Sequence, residues 1–480
     1  MQLLKNERIK SYILIVLIIL SFIQIGILLS YQSHGLPIGF FASIFRSVGK
    51  PDFVSFKNIR DEYFVPFRLA VSDGQSSHWL IDKDDELYKK IWDGTKTYLN
   101  TALSGKQPSG GDIWPVEQKW AELVIKKGIL VEFRSSIGIG LIKWFLDINA
   151  ENAGGPYGVH KIMVIPGDGV VERSTYLYIT DGQMVYRYII YNSISELIGD
   201  GFDGIINKLK TDKKYELKSY WVMKNIDPAN KLPFTYSPEI LCVVQRPAYR
   251  NYRNISYLVP EKIFSAGSDE VAELVLASEK FSYDGSVDYE DTIIFKNQDN
   301  LYRIYKNGLL EYRYISSHER VSEEEIDEAF VQACSFIKRI SENFVSGAGI
   351  YLSGARMNRT QGTFEFRFDY MVDEIPVVFD YNSGMGGGKS ASNAIVIEAN
   401  GKRVLYCKWM LKEFNQGSKV IKYDARAENV INELLKFSGL SVKDILAAYV
   451  VSSDEGTDVG PSWVVEKADG ERHIVMLNRE

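Results

Sequence analysis

The stretch Leu301–Ile315 reads LYRIYKNGLLEYRYI, and it decides the kind of fold that the chain can form. Two β-type runs flank Asn307-Gly308, a pair typical of tight turns between antiparallel strands. Asp-Gly or Asn-Gly pairs also stand between β-type runs at residues 181, 400 and 469. We therefore predict a chain built from β-hairpins, with a type I′ turn at Asp181-Gly182.

Helical patterns alternate with these hairpins. Helices are predicted over Asp85–Leu103, over residues 115–127, and after Ser322, which forms a capping box with Glu325. The last block reads as helix, four strands, helix, three strands, which is typical of an α+β fold with antiparallel sheets. The predicted division is a cytoplasmic head (1–11), a transmembrane anchor (12–31) and three α+β domains (32–230, 231–318 and 319–480).

The composition of the chain limits the classes of function that it can have. The chain has 480 residues, 45% of them hydrophobic and 25% charged, as in ordinary globular proteins. Its net charge of -6, without long Lys/Arg runs, argues against a nucleic-acid partner. Cys242, Cys334 and Cys407 stand far apart, and the five histidines are scattered, so no metal-ligand spacing is present.

Residues 12–31 form the predicted membrane anchor. From Tyr12 to Ser30 the chain carries no charge, and about 19 helical residues can cross a bilayer core of roughly 30 Å. The nearby basic residues precede this span, which puts the N-terminus in the cytoplasm and the rest outside the cell membrane. Gln24, with Ser21 and Gly26, is the candidate contact with a partner helix, because a polar amide in hydrocarbon requires a partner.

A glycine-rich stretch, residues 380–390, ends in Gly388-Lys389-Ser390 like a phosphate-binding loop. Serine stands at 383, where that motif requires glycine, and a β-type run follows instead of a helix. We interpret the stretch as a loop between two antiparallel strands, without a nucleotide.

No sequence motif indicates catalysis. Ser335-Phe-Ile-Lys338 fits a serine-hydrolase pattern but lies inside a predicted helix without the accompanying motifs. The acids of residues 452–458 lack the spacing of a calcium loop. We therefore assign no catalytic, cofactor or metal residues.

Three further stretches carry a resemblance to a known family. They are the anchor RIKSYILIVLIILSF (8–22), the helix–strand pair WPVEQKWAELVIKKGILVEF (114–133) and the hairpin at Leu301–Ile315. Together with the C-terminal third, they resemble the YycH/YycI regulators of Gram-positive bacteria. The C-terminal third is similar to the YycI-type domain that ends YycH, which in turn resembles PepSY modules.

This resemblance implies a function. Members of the family are not enzymes but membrane-anchored partners of a sensor histidine kinase of a two-component system that governs cell-wall metabolism. They act through their membrane helix and outside domain, and a second YycI-like anchored regulator is an expected partner. Two alternatives stay open: a tethered PepSY-like module that binds or inhibits an outside peptidase, and a membrane-anchored cell-wall enzyme.

Overall fold

The hairpin predicted from Leu301–Ile315 is confirmed. In the computed structural model, Asn300–Tyr305 pairs antiparallel with Leu309–Tyr314. Gly308 turns the chain with a φ of +91°, and a Cβ at this position would lie 2.5 Å from the carbonyl oxygen of Leu411. The turn therefore requires glycine both for its backbone conformation and for the space that it leaves.

The structure describes residues 56–480 except 76, 106–107, 109, 149–154, 167–173, 192–199, 213–215, 218–234, 237–248, 266, 277–285, 290–291, 297–298, 317–324, 359–361, 381–392, 437–440 and 453–454. These described residues belong to one compact unit. No helix among them is long and apolar enough to cross a membrane. The predicted anchor at 12–31 lies outside the described residues.

The strands are β1 (Arg68–Asp73), β2 (His78–Leu80), β3 (Ile113–Pro115), β4 (Lys127–Gly138), β5 (Gly158–Ile165), β6 (Ser174–Thr180), β7 (Met184–Tyr191), β8 (Glu216–Leu217), β9 (Thr235–Tyr236), β10 (Tyr249–Leu258), β11 (Ser286–Tyr289), β12 (Thr292–Lys296), β13 (Asn300–Tyr305), β14 (Leu309–Tyr314), β15 (Gly349–Asn358), β16 (Thr363–Val372), β17 (Ile375–Phe379), β18 (Ile395–Ala399), β19 (Val404–Met410), β20 (Glu413–Asp424), β21 (Ser441–Val451), β22 (Gly456–Val459), β23 (Pro461–Lys467), β24 (Arg472–Met476) and β25 (Asn478–Arg479).

The helices are α1 (Phe56–Tyr63), α2 (Glu86–Ser104), α3 (Val116–Val124), α4 (Ile139–Phe145), α5 (Asp200–Thr211), α6 (Lys262–Ser265), α7 (Ser268–Leu276), α8 (Ile326–Phe344) and α9 (Ala427–Leu434), with a short 3-10 turn at Gly110–Asp112. Helix α2 begins where the sequence predicts, because the carboxylate of Asp85 accepts a hydrogen bond from the backbone N–H of Leu87 at 2.9 Å.

The strands form two long antiparallel ladders. The first has the order β8-β2-β1-β4-β5-β6-β7-β3. The second has the order β11-β12-β13-β14-β19-β18-β16-β15. A parallel contact between β15 and β4 joins the two ladders. The mixed α+β class with mainly antiparallel sheets is therefore confirmed.

Two smaller sheets complete the described fold. The third sheet runs β17-β21-β23-β24, with β9 also beside β21, and β17 and β9 are parallel to β21. Strand β17 also continues from β16 through a hairpin, so it connects the second ladder to the third sheet. The fourth sheet has the order β22-β10-β20-β25.

Helix α8 forms the centre of the core between α4 and strands β16, β18 and β19. One face of the helix is buried, with Phe330, Ile340 and Phe344 at 0% exposure. The ring of Phe330 lies 5.2 Å from that of Phe366 and 5.5 Å from that of Phe145. Glu325 precedes the helix without a side-chain capping bond, and Ser322 lies outside the described residues.

Three local expectations differ from the structure. The turn after β6 is not type I′, since Gly182 has a positive φ (+99°) and Asp181 does not, and a type I′ turn needs both. Strand β20 is not predicted from the sequence. The strands on either side of residues 381–392, β17 and β18, do not pair with each other, since both pair with β16. The predicted domain boundaries stay predictions.

We expect Phe330→Ala to lower the free energy of unfolding by about 3–5 kcal/mol, because it removes a fully buried ring at the centre of the aromatic core. Denaturant unfolding of the full chain in mild detergent measures this change. Phe264→Ala is the matched control, since Phe264 is 51% exposed. Equal losses in the two variants would contradict the central role of Phe330.

Candidate functional site

A cluster of buried charges joins strands from the two ends of the described chain. Its side chains are only 3–17% exposed. The cluster consists of Arg68 (β1), Glu132 and Arg134 (β4), Lys161 (β5), Asp444 (β21), Glu466 (β23) and Arg472 (β24). We call it the ionic cluster.

Each carboxylate of the ionic cluster contacts two cations. Asp444 accepts from Nη1 of Arg68 at 3.0 Å and from Nη1 of Arg134 at 3.3 Å. Glu466 accepts from Arg134 and from Nε of Arg472, the latter at 3.1 Å. Glu132 accepts from Arg68 at 3.1 Å and from Nζ of Lys161 at 3.0 Å. The first ladder and the third sheet are therefore bonded through charged groups.

Two carboxylates of the ionic cluster, Asp444 and Glu466, are held in the ionised form. Burial alone would raise the pKa of Asp444, but Arg68, Arg134 and Lys161 outweigh it, so the pKa lies below its usual range. The pKa of Glu466 is lowered in the same way, with burial opposed by Arg134 and Arg472. Asp444 and Glu466 therefore remain charged at neutral pH.

The ring of Phe67 covers one side of the ionic cluster. The guanidinium carbons of Arg68 and Arg134 lie 5.2 Å and 5.3 Å from its centroid, within cation–π range. The ring of Phe67 also stacks on the ring of Tyr351, with 5.9 Å between the ring centroids. Aromatic contact thus replaces part of the water that the two guanidinium groups lose on burial.

An open cleft of about 160 Å³ adjoins the ionic cluster. Its wall includes the residues that lead into β1, the end of β2, the β16–β17 hairpin and the middle of β21. Asp82 and Lys83 after β2, Tyr88 of α2, Trp463 of β23, and Arg250 and Tyr252 of β10 also line it. Because parts of the chain that are far apart in sequence form this cleft, only the folded structure can create it.

The β16–β17 hairpin turns at the edge of the cleft on two residues of unusual conformation. Asp373 and Glu374 have positive φ angles of 50° and 63°, although neither is glycine. Such a conformation is disfavoured for residues with a side chain and is often found at functional sites. A carboxylate oxygen of Glu374 accepts a hydrogen bond from the backbone N–H of Lys83 at 3.1 Å. This bond ties the turn to the segment that follows β2.

Acidic groups gather at this edge of the cleft. Burial, followed by the negative charges of Asp82 and Asp84, raises the pKa of Glu374, and Lys83 opposes the shift. Burial, and then the charge of Glu374, also raises the pKa of Tyr88. The hydroxyl group of Tyr88 therefore keeps its proton at neutral pH and can donate it in a hydrogen bond.

The site residues predicted from the sequence, Ser21, Gln24 and Gly26, lie outside the described residues, so their role stays a prediction. Sequence reasoning missed the cleft and the ionic cluster, because Arg68 and Asp444 are 376 positions apart and share no motif. The available signal was a charged residue inside an apolar strand, as at Glu132 and Asp444. Within the described ranges, no group of three or more His, Cys, Asp or Glu side chains is arranged to hold a metal ion.

The described fold defines a mixed α+β protein built on large antiparallel sheets, with an open cleft between them. No protein-family model matches the chain, and no curated protein matches it in sequence. Among solved structures, it is similar to YycH from Bacillus subtilis, with a TM-score of 0.53, 12% identity, and coverage of 87% of this chain and 96% of that one. An uncharacterized protein from Eubacterium rectale matches at a TM-score of 0.28 and 11% identity, covering 52% of this chain and 88% of that one.

The comparison with YycH supports the fold predicted from the resemblance. At 12% identity, the likeness concerns the fold and not membership of a family. The similarity of the C-terminal third to YycI and PepSY modules stays a prediction.

We expect Asp444→Asn to lower the free energy of unfolding by about 3–5 kcal/mol, because it leaves two buried guanidinium groups without a shared counter-charge. Urea unfolding of the full chain measures the loss. Asp203→Asn is the control, since the Lys127–Asp203 pair is exposed and such pairs contribute about 0–1 kcal/mol. A loss no larger than that of the control would contradict the importance of the ionic cluster.

The ionic cluster also predicts a pH dependence. Because the pKa values of Asp444 and Glu466 are lower in the folded state, their stabilisation is present above their unfolded pKa values of about 4 and is lost as pH falls through the folded values. We expect the stability difference between wild type and Asp444→Asn to shrink between neutral and acidic pH. Urea unfolding across this pH range tests it, and a difference that grows on acidification would contradict the assignment.

Proposed function

We propose that this protein is a non-enzymatic, membrane-anchored regulator of a sensor histidine kinase in a two-component system that controls cell-wall metabolism. The observation that carries the proposal is the structural similarity to YycH, which extends over 87% of this chain and 96% of YycH. The family that the sequence resembles acts in this way, and the shared fold supports a regulatory role.

The proposed arrangement in the membrane follows from charge and hydropathy. Residues 12–31 are uncharged, and Lys5, Arg8 and Lys10 precede them. With the basic side in the cytoplasm, residues 56–480 lie outside the cell membrane. The regulator would then contact the kinase at two levels, within the bilayer and outside it.

The proposed contact within the bilayer is the helix face that carries Ser21, Gln24 and Gly26. A hydrogen bond between membrane helices contributes about 1–2 kcal/mol, and a small residue permits close approach. If that contact forms in only one state of the kinase, about 1–2 kcal/mol shifts its conformational equilibrium by roughly 5- to 30-fold. A regulator can therefore change kinase output without any chemistry of its own.

Two further observations favour a non-enzymatic role. Cys334 and Cys407 are buried, and burial raises the pKa of both thiols, so neither provides a thiolate nucleophile. The charged residues of the ionic cluster are paired with one another and hold sheets together. A tethered module that binds a peptidase and an anchored cell-wall enzyme remain the alternatives that the following experiment separates.

Replacing residues 12–31 with an unrelated membrane span of equal length tests the proposal. We expect kinase phosphorylation to change and the kinase to be lost from co-purification, because the specific helix contact is removed while residues 32–480 stay outside. Gln24→Leu should reproduce part of this effect, about 3- to 10-fold in captured kinase.

Ile23→Leu is the matched control, since it alters a neighbouring apolar position of the same span. Unchanged capture and phosphorylation after the span replacement would show that the span is only an anchor. Capture of an outside peptidase by the same protein would then favour the binding module, and turnover of a cell-wall substrate would favour the enzyme.

A further inference from the structure

One side of the second ladder is exposed across the neighbouring strands β12, β13, β14, β19 and β18. The other side packs on helix α8, where the ring of Tyr312 lies 5.2 Å from that of Phe336. Because successive side chains of a strand point to opposite sides, the residues between the buried ones form the exposed side. We call it the basic face. None of its charged members is buried, and these are Lys296, Arg303, Arg313, Lys408, Glu311 and Glu398.

The basic face has a charge balance opposite to that of the whole chain. The chain has a net charge of -6, whereas the basic face carries four cationic side chains and two carboxylates. Directly opposed residues of antiparallel strands lie side by side, so Glu311 stands between Arg303 and Lys408. Arg313 and Tyr406 form the next opposed pair. The basic face therefore attracts anions that the chain as a whole repels.

Two cations of the basic face have no counter-charge within the described chain. No carboxylate among the described residues forms an ion pair with Arg313 or Lys408. Nη1 of Arg303 lies 4.0 Å from a carboxylate oxygen of Glu311, which is a long separation for an ion pair. The exposed Arg356, by comparison, lies 3.0 Å from its carboxylate partner. The basic face therefore retains positive charge that an anionic partner can neutralise.

A cavity of about 70 Å³ lies within the basic face, and its lining includes Arg303, Glu311, Arg313 and Tyr406. Arg303 and Arg313 are diagonal neighbours across the β13–β14 pair, a separation of about 7–8 Å. Guanidinium groups on both sides can therefore reach one anionic group in the cavity. At about 10–15 Å³ for each water-sized group, the volume holds about five such groups, the number of non-hydrogen atoms in a phosphate.

The neighbours of the two arginines favour a phosphate that belongs to a polyol. Glu311 lines the same cavity and already accepts a hydrogen bond from the hydroxyl of Tyr305 at 3.1 Å, so it can accept from other hydroxyl groups. The ring of Tyr406, 6.0 Å from the guanidinium carbon of Arg313, offers an apolar surface for carbon atoms. An anionic bilayer surface brings only negative charge to Glu311 and Glu398, whereas a polyol phosphate alternates phosphate with hydroxyl groups.

We propose that the basic face binds a polyol phosphate chain, with one phosphate group in the cavity between Arg303 and Arg313. The planar guanidinium groups donate to the phosphate oxygens, and a hydroxyl of the polyol donates to Glu311. Lys408, the diagonal neighbour of Arg313 across the β14–β19 pair, attracts the next phosphate of the chain. This inference goes beyond the regulator role and is tested without any kinase, so the two proposals can fail independently.

The test uses the full chain in phosphatidylcholine nanodiscs and a labelled hexamer of glycerol phosphate, with binding followed by fluorescence anisotropy. We expect a Kd of about 100 μM at low salt. Binding should weaken about 10-fold between about 50 mM and 200 mM salt, because cations released from the phosphates oppose it. Hexa-aspartate has a similar charge but no phosphate, and it should bind about 5-fold more weakly.

Variants then assign the contacts. Arg303→Gln and Arg313→Gln each remove one guanidinium group from the cavity and should weaken hexamer binding about 5- to 10-fold. Arg253→Gln is the matched control, since Arg253 is an exposed arginine of strand β10, and it should leave binding unchanged. Lys408→Gln should weaken binding about 3-fold, whereas Lys89→Gln, at an exposed position of α2, should not.

Glu311→Gln separates recognition of the polyol from recognition of the phosphate. Loss of the negative charge should strengthen the binding of inorganic hexaphosphate, which has no polyol hydroxyl groups, more than the binding of the hexamer. We expect the ratio of the hexamer affinity to the hexaphosphate affinity to fall about 3- to 10-fold. Glu117→Gln, at an exposed acid of α3, should preserve this ratio.

Several results would overturn the inference. These are no hexamer binding at about 1 mM, ten times the expected Kd, equal binding of hexa-aspartate, or equal effects of Arg313→Gln and Arg253→Gln. Binding of phosphatidylglycerol vesicles through Arg303 and Arg313, without binding of the hexamer, would identify a membrane surface instead. Thermal unfolding of each variant is measured in parallel. If Arg303→Gln does not fold, the comparison of Arg313→Gln with Arg253→Gln decides the matter.

Discussion

The described fold depends on two guanidinium groups, of Arg68 and Arg134, that are held by carboxylates from the opposite end of the chain. Removing such charges from water is costly, and the cost is offset only where each has close counter-charges and further contacts. Asp444 and Glu466 supply the counter-charges, and the ring of Phe67 supplies the further contact. Because apolar contacts alone are not directional, these charge pairs also select the way in which the first ladder meets the third sheet.

The cleft forms because the first ladder and the third sheet come together in this way. Arg68 belongs both to the ionic cluster and to the cleft lining, so the same strand that joins the sheets also shapes the cavity. On the other side, the strained turn at Asp373-Glu374 is fixed by a hydrogen bond from the backbone of Lys83. Strain of this kind persists only where the surrounding structure holds it, and here it brings a carboxylate to the edge of the cleft.

In the proposed regulator, the predicted membrane span and the cleft would be two separate sites at which binding could contribute free energy. Coupling between them requires a structural element with two arrangements that both sites influence. Strand β17 pairs with β16 of the second ladder and with β21 of the third sheet, beside the cleft. A change in this hairpin would therefore alter the relation between the second ladder and the third sheet.

The sequence by itself determined the local elements. The capped helix at Asp85, the buried face of α8 and the hairpin at Asn307-Gly308 follow from short-range spacing, and the α+β class follows from them. It did not reveal β20, whose residues are mostly polar and exposed and are ordered by backbone pairing with β10. Nor did it reveal the ionic cluster or the cleft, which only the tertiary structure decided. The physical reason is that periodicity and capping act over a few residues, whereas the contact between Arg68 and Asp444 spans 376 positions and forms only when the sheets close on each other.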